Sequence, residues 1–199
     1  MRFNTGEAWA DAHLARGLQR LDAKQFQDAL ADFHAALKAP INLRADEPGA
    51  AYQAEAAYWI GCANEALGNQ EQARQSWLAA TTNSAPGAGN RRGNAVNARA
   101  ALYFQALAFQ KLGQNEKAGP LFRELVDAGT AAAGSGNEDT APASRQQPAN
   151  LRIATTHYLA GLGHAGLGEK EEARAEFNAA LAASPDHLGA KLALAWNGL

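Results

Sequence analysis

Small and aromatic residues recur along this chain at the spacing of one face of an α-helix. The pattern is clearest in residues 158–185, where Ala173, Phe177 and Ala180 stand at i, i+4 and i+7. A glycine-containing apolar stretch precedes them, Gly168 separates the two parts, and a proline ends the segment. Positions i, i+4 and i+7 share one side of a helix, and glycine and proline are typical of helix ends. The segment is therefore predicted to form two amphipathic helices joined by a tight turn.

The same arrangement occurs three more times upstream. In each predicted second helix, a small residue is followed by an aromatic residue and then by a small or aliphatic residue; the four sets are Ala29, Phe33, Ala36; Ala73, Trp77, Ala80; Ala118, Phe122, Leu125; and Ala173, Phe177, Ala180. Another small residue stands twelve positions before each set, namely Gly17, Gly61, Ala106 and Gly161. Small residues let two helices approach to about 8–10 Å. The recurrence therefore predicts four closely packed helix pairs.

The order of small, turn, small, aromatic, small and proline residues resembles the tetratricopeptide repeat, a helix–turn–helix unit of about 34 residues. The turn position holds Gly68, Gly113 and Gly168, but Lys24 stands there in the first pair, so we expect that turn to be made differently. The anchor alanines are 44, 45 and 55 residues apart, which makes the period longer than that of the family. Longer first helices and the connections 39–48, 83–94 and 128–149 are expected to hold the extra residues, the last as a mobile, low-complexity segment.

We therefore predict an all-α fold, an α-solenoid of four repeats in a single domain, 1–199. The repeats are placed at 6–38, 49–82, 94–127 and 149–183. Their helices are predicted at 6–21, 25–38, 49–67, 70–82, 94–112, 115–127, 149–167 and 170–183. A capping helix is predicted at 185–197, because Ser184 and Pro185 form a strong helix-start signal. Such a helix would cover the apolar face of the last repeat.

The amino-acid composition and charge of the chain limit the kinds of function that it can have. The net charge of −2 and the pI near 6.2 give no strong field toward nucleic acid or anionic membranes. No apolar run is long enough for a membrane span, and the first residues lack the apolar core of a signal peptide. A single cysteine, Cys62, excludes an internal disulfide framework. We expect a cytoplasmic protein or, equally, a domain of a larger one.

The candidate chemical motifs have simpler structural explanations. Gly161, Gly163 and Gly166 match a dinucleotide fingerprint, but this motif requires a preceding strand, and here the preceding residues are predicted to be helical. His157 occupies the repeat position of His13, which favours packing over metal binding. Cys62 has no activating base nearby in sequence, and the carboxylate pairs lie at helix starts. We expect no cofactor, no metal and no enzymatic activity.

Tyrosine recurs at one position of the first helices. Tyr58, Tyr103 and Tyr158 correspond to Leu14 in the first repeat. The family resemblance implies that this position, and those four and seven residues beyond it, line an inner groove, with Asp11, Glu55 and Thr155 one turn earlier. The groove candidates thus also include Glu55, Glu65, Gln110 and Thr155. Tyrosine offers contact area and a hydroxyl at low entropy cost. The alternative, which carries equal weight, is that the tyrosines pack between neighbouring first helices.

From these observations we predict a non-enzymatic scaffold that binds a protein or peptide in the groove. Because the groove candidates are mostly apolar or acidic, capture of a C-terminal carboxylate is disfavoured. Two alternatives remain. Four tryptophans, Trp9, Trp59, Trp77 and Trp196, would support a self-association module if exposed. Sequences such as Tyr58-Trp59-Ile60-Gly61 resemble the repeat array of large bacterial carbohydrate-associated proteins, which implies an accessory, non-catalytic portion or a free-standing relative of such a protein. Sugar binding would in addition require Tyr or Trp rings that lie flat and exposed in the groove.

Overall fold

The computed structural model describes residues 5–38, 40, 50–82, 95–134 and 148–196. In these ranges the chain is helical and contains no strand. The helices are α1 (Thr5–Asp22), α2 (Phe26–Ala36), α3 (Ala50–Ala66), α4 (Gln70–Thr82), α5 (Ala95–Lys111), α6 (Asn115–Gly134), α7 (Ala149–Leu167), α8 (Lys170–Ala183) and α9 (Leu188–Trp196). The predicted all-α helical-repeat class is confirmed. The chain divides into two compact units, unit 1 (Met1–Asn115) and unit 2 (Glu116–Leu199).

In unit 1 consecutive helices pack on one another, with α3 between α2, α4 and α5. Its glycines permit close pairing, as the pattern predicted. A Cβ on Gly17 would lie 2.5 Å from the Phe33 ring, and Gly61 faces Trp77 in the same way. Phe33 is fully buried beside Leu14 and Ile60. The aromatic ring of each second helix therefore occupies the space that the glycine of the first helix leaves open.

Unit 2 repeats this construction. Gly161 of α7 faces the fully buried Phe177 of α8, and α9 packs on α8 through buried alanines. The other two glycines of the fingerprint, Gly163 and Gly166, face Val126 and Phe122 of α6. All three therefore lie inside a helix at packing contacts, which is the explanation that the sequence favoured over a phosphate-binding loop.

The turn of the first pair corrects one expectation. Lys24 takes a left-handed φ of +59°, close to the φ of +83° at Gly168. The hydrogen bonds also match, because Lys24 N–H donates to Leu21 O and Gln25 N–H to Arg20 O, as Gly168 does to Ala165 O. The first turn thus has the same form as the others, with a lysine in a conformation that favours glycine.

Two helix boundaries differ from the prediction by more than two residues. α6 continues to Gly134, so residues 128–134 are helical; Gly129 rests against Ala160 of α7, and the alanines that follow are strong helix formers. The rest of the low-complexity segment, 135–147, lies outside the described residues, as do 41–48 and 83–94. α9 begins at Leu188 rather than at Pro185: Ser184 ends α8, and His187 Nδ1 caps the new helix by accepting from Ala190 N–H at 3.2 Å.

Candidate interaction surface

Tyr58 and Tyr103 of unit 1 are buried, with exposed fractions of 8% and 3%. The Tyr58 ring lies 5.9 Å from the ring of Phe104 on α5, and Tyr103, the neighbour of Phe104 on α5, interacts electrostatically with the Tyr58 hydroxyl. Both tyrosines therefore pack where α3 meets α5. Tyr58 and Tyr103 therefore fit the alternative given above, in which the tyrosines pack between neighbouring first helices. They do not fit the expectation that these side chains are exposed in a groove. The ring is large enough to reach the adjacent helix, so it fills the space between repeats.

Tyr158 of unit 2 is half-buried for a different reason. Its ring lies 6.2 Å from Phe177 and 4.8 Å from His187. A Cβ on Gly189 would stand 2.8 Å from its Cζ atom, so the start of α9 covers the ring. The helix predicted as a cap thus covers part of the position that the sequence assigned to a partner.

The remaining groove candidates divide by exposure. Leu14 and Thr155 are buried, at 3% and 8%. Glu55 and Glu65 of α3 are half-buried, and Gln110 of α5 is exposed. In unit 1 the ionisable and polar candidates thus retain contact with solvent, whereas the apolar and aromatic ones belong to the core.

An ionisable cluster joins α1 to α3 beside these residues. The Tyr52 hydroxyl donates to Asp11 Oδ1 at 2.9 Å. Burial raises the pKa of Asp11, against the effect of this hydrogen bond. Burial and then the nearby Asp11 charge raise the pKa of Glu55 to about 8, while a hydrogen bond with Trp59 opposes the shift. Burial likewise raises the pKa of the Tyr52 hydroxyl, with Asp11 as the next cause.

A second polar group lies toward the other end of α3. Lys111 of α5 forms an ion pair with Glu65 and stands 5.2 Å above the Trp77 ring. Beside it, burial raises the pKa of the Cys62 thiol, more than Tyr58 and Lys111 lower it. A raised thiol pKa disfavours the thiolate that nucleophilic catalysis requires. We define the first-helix face as Asp11 of α1, Tyr52, Glu55, Cys62 and Glu65 of α3, and Gln110 of α5.

The sequence did not predict the charge network between α1 and α2. Asp32 is 2% exposed and accepts hydrogen bonds from Arg16 Nε at 3.0 Å and Arg20 Nη1 at 2.6 Å, with His13 Nδ1 at 2.9 Å. Burial opposes ionisation of Asp32, but the hydrogen bonds from Arg16 and His13 and the two guanidinium charges together lower its pKa. Its partners are 12–19 residues away, beyond the range of a local motif.

His157 of unit 2 has the corresponding role, because its Nδ1 lies 2.7 Å from Glu176 of α8. The equivalence with His13 was visible in the sequence, whereas the carboxylate partner was not. Within the described ranges, no three His, Cys, Asp or Glu side chains are grouped so as to hold a metal ion. None of the described helices is both long and apolar enough to span a bilayer.

The tryptophans that suggested self-association are largely used inside unit 1. Trp9 donates its indole N–H to Ala35 O at 2.8 Å, and Trp77 is 5% exposed. Trp59 is half-buried and stands 6.4 Å from the Phe33 ring. The side chain of Trp196 lies outside the described residues. These rings therefore add little to the case for a self-association face or for a sugar-stacking surface.

A shallow groove opens on another side of unit 1, between α2 and α4 with α3 beneath. Its volume is about 320 Å³, and it is lined by His34, Leu37, Gln53, Ala57, Ile60, Ser76 and Ala79. The lining combines a mainly apolar floor with three polar side chains. It holds none of the predicted groove residues.

Comparison of the sequence with models of known protein families gives a match for one helix pair. Residues 154–187, which cover most of α7, all of α8 and the turn before α9, match the tetratricopeptide repeat family model. Searches of curated proteins and of solved structures found no match. The longer period and the likeness to carbohydrate-associated arrays therefore stay predictions. The chain is an all-α helical-repeat protein whose fourth helix pair matches the model of the tetratricopeptide repeat.

Proposed function

We propose that this protein is a non-enzymatic scaffold that binds a protein or peptide through the first-helix face of unit 1. Tetratricopeptide domains generally bind proteins or peptides, which supports the general role. The observation that carries the choice of surface is the pair of half-buried carboxyl groups on adjacent first helices, Asp11 and Glu55. Burial raises both pKa values, so each carboxylate is stabilised less than it would be in water or beside a cation.

The proposed ligand is a segment that carries lysine or arginine. A cationic side chain beside Asp11 and Glu55 would replace lost solvation with direct charge pairing, and would lower both carboxyl pKa values. Glu65 and Gln110 would extend the contact toward the far end of α3, where Lys111 already neutralises Glu65. Tyr58, Tyr103 and Leu14 then act as the packed support beneath this face, and Thr155 and Tyr158 belong to unit 2.

Selection of random peptides on the immobilised 199-residue chain tests this proposal. We expect enrichment of lysine and arginine, and at least a tenfold weaker Kd for the selected peptides after Glu55→Gln or Asp11→Asn. Asp22→Asn is the matched control, because Asp22 is an exposed carboxylate at the end of α1, outside the face. Selected peptides that bind all three variants as tightly as the parent would rule out this surface.

A further inference from the structure

The contact between α1 and α3 contains titratable groups in a position where helices of a repeat array normally present apolar side chains. Tyr52 and Asp11 are 41 residues apart in sequence, and their 2.9 Å hydrogen bond connects the first helix pair to the second. Glu55 stands one turn after Tyr52 on the same side of α3, and Glu7 lies one turn before Asp11 on α1. Three carboxyl groups and a phenol thus face one another across this contact.

We propose that protonation of the Asp11, Tyr52 and Glu55 cluster determines how firmly α1 is held against α3, so that the first helix pair loosens from the second as pH rises. With one carboxyl group protonated, the cluster contains a further hydrogen-bond donor and at most one buried negative charge. With both carboxyl groups ionised, two like charges face each other in a partly desolvated contact, which costs free energy. Opening returns both groups to water, so opening becomes easier at high pH.

The surrounding charges do not offset this repulsion. The groups that affect Glu55 are Asp11 and the Trp59 indole, and those that affect Tyr52 are Asp11, Glu7 and Glu55. The helices α2, α4 and α5 also pack on α3. Their charged groups are either exposed or bound elsewhere. Asp32 is held by His13, Arg16 and Arg20 of α1, and Lys111 pairs with Glu65, ten residues beyond Glu55. The exposed groups are Asp28, His34, Glu71, Arg74 and Arg99.

The pKa of about 8 for Glu55 sets the pH range. A carboxyl pKa raised in the closed state stabilises the closed contact at low pH, and this advantage is lost as pH rises from the ordinary value near 4.5 to about 8. Between pH 6 and pH 9 the opening equilibrium is therefore expected to increase by on the order of tenfold to a hundredfold, with smaller pKa shifts giving the lower figure.

Amide hydrogen exchange of the 199-residue chain at pH 6 and pH 9, corrected for intrinsic rates, measures this change. We expect protection of α1 amides to fall at least tenfold, while amides of α7 and α8 in unit 2 keep theirs. Glu55→Gln is expected to remove the dependence. Glu65→Gln, on the same helix but paired with Lys111, is expected to retain it.

Asp11→Asn provides a second variant if Glu55→Gln fails to fold. Asparagine still accepts a hydrogen bond from Tyr52 but removes the charge that opposes ionisation of Glu55, so a smaller fall in protection is expected. Equal α1 protection at both pH values in the parent chain would overturn the proposal, as would an undiminished fall in Glu55→Gln. Either result leaves the peptide-binding proposal standing, because that proposal is tested by affinity and not by exchange.

Discussion

A close contact between the paired helices of unit 2 gives a sharp test of the packing. Gly161→Ala would place a methyl group 2.6 Å from Phe177 Cε1 and 2.7 Å from Cδ1. Ordinary van der Waals contact begins near 3.4 Å, so the ring would have to retreat by about 0.8 Å. Phe177 is fully buried, and Tyr158 stands 6.2 Å away on one side. The ring therefore has little space into which it can move.

Two effects of opposite sign determine how much Gly161→Ala changes the free energy of unfolding. Replacing glycine by alanine inside a helix stabilises it by about 1 kcal/mol where nothing interferes. Forcing a methyl group into a packed core typically costs about 1–3 kcal/mol, through displaced side chains and shifted backbone. Because the gap is much smaller than a methyl group needs, we place the clash at the upper end of that range. The net expectation for Gly161→Ala is a destabilisation of about 1–2 kcal/mol.

A double-mutant cycle separates these effects. Phe177→Leu removes the ring atoms that the new methyl group would meet, and alone it costs about 1–2 kcal/mol. In that background Gly161→Ala is expected to be neutral or stabilising, which gives a coupling energy of about 2 kcal/mol. Urea unfolding followed by circular dichroism measures all four chains, and Gly17 with Phe33 repeats the cycle in unit 1. Additive effects, or a Gly161→Ala that stabilises the parent chain, would show that the ring does not occupy the space over this glycine.

Three further substitutions test the turns and the charge network. Lys24→Gly is expected to raise the free energy of unfolding by up to about 1 kcal/mol, because glycine adopts the left-handed conformation without strain. Gly168→Ala is expected to lower it by about 1 kcal/mol for the same reason. The urea midpoints of both variants measure these changes, and changes of the same sign would contradict the prediction. Asp32→Asn is expected to cost about 1–3 kcal/mol, since it removes the buried negative charge and one of the two carboxylate oxygens that accept hydrogen bonds from Arg16 and Arg20. The pKa of Asp32 is lowered on folding, so its contribution is present above the ordinary carboxyl pKa and is lost as pH falls through the folded value. Unfolding free energies from pH 7 to pH 2 should therefore converge for parent and variant at low pH, and a constant gap would contradict this assignment.

The helix pairs were predictable because the steric requirements of close helix packing fix residue types at short separations in the sequence. Residues separated by three, four or twelve positions decide whether two helices can approach, and the predicted bounds of α4, α7 and α8 agree with the structure. The turn at Lys24 and the start of α9 were not predicted. In each case a local residue preference was outweighed by hydrogen bonding, at Lys24 by the bonds that end α1 and at His187 by a side-chain cap.

The candidate site was less predictable because a helical periodicity identifies a face but does not say what covers it. Tyr58 shares its side of α3 with Glu55, yet the ring extends into α5, whereas Glu55 remains half-buried beside α1. The Tyr52 bond to Asp11 spans 41 residues and belongs to no motif. Contacts of that length follow from how the repeats stack, which a single sequence does not record.

The repeats present different surfaces because certain repeat positions hold different residues in different pairs. In the first pair, His13 and Asp32 bridge the two helices, and in the fourth pair His157 and Glu176 do the same. The corresponding residues of the second pair are Ala57 and Ser76, whose side chains are too short to form such a bridge. Both line the groove of about 320 Å³ between α2 and α4. Two side chains thus decide whether a helix pair forms a polar bridge or borders an open groove. In the same three pairs a glycine of the first helix, Gly17, Gly61 or Gly161, still faces an aromatic ring of the second helix. Specificity in this protein is therefore to be sought at the positions where its repeats differ.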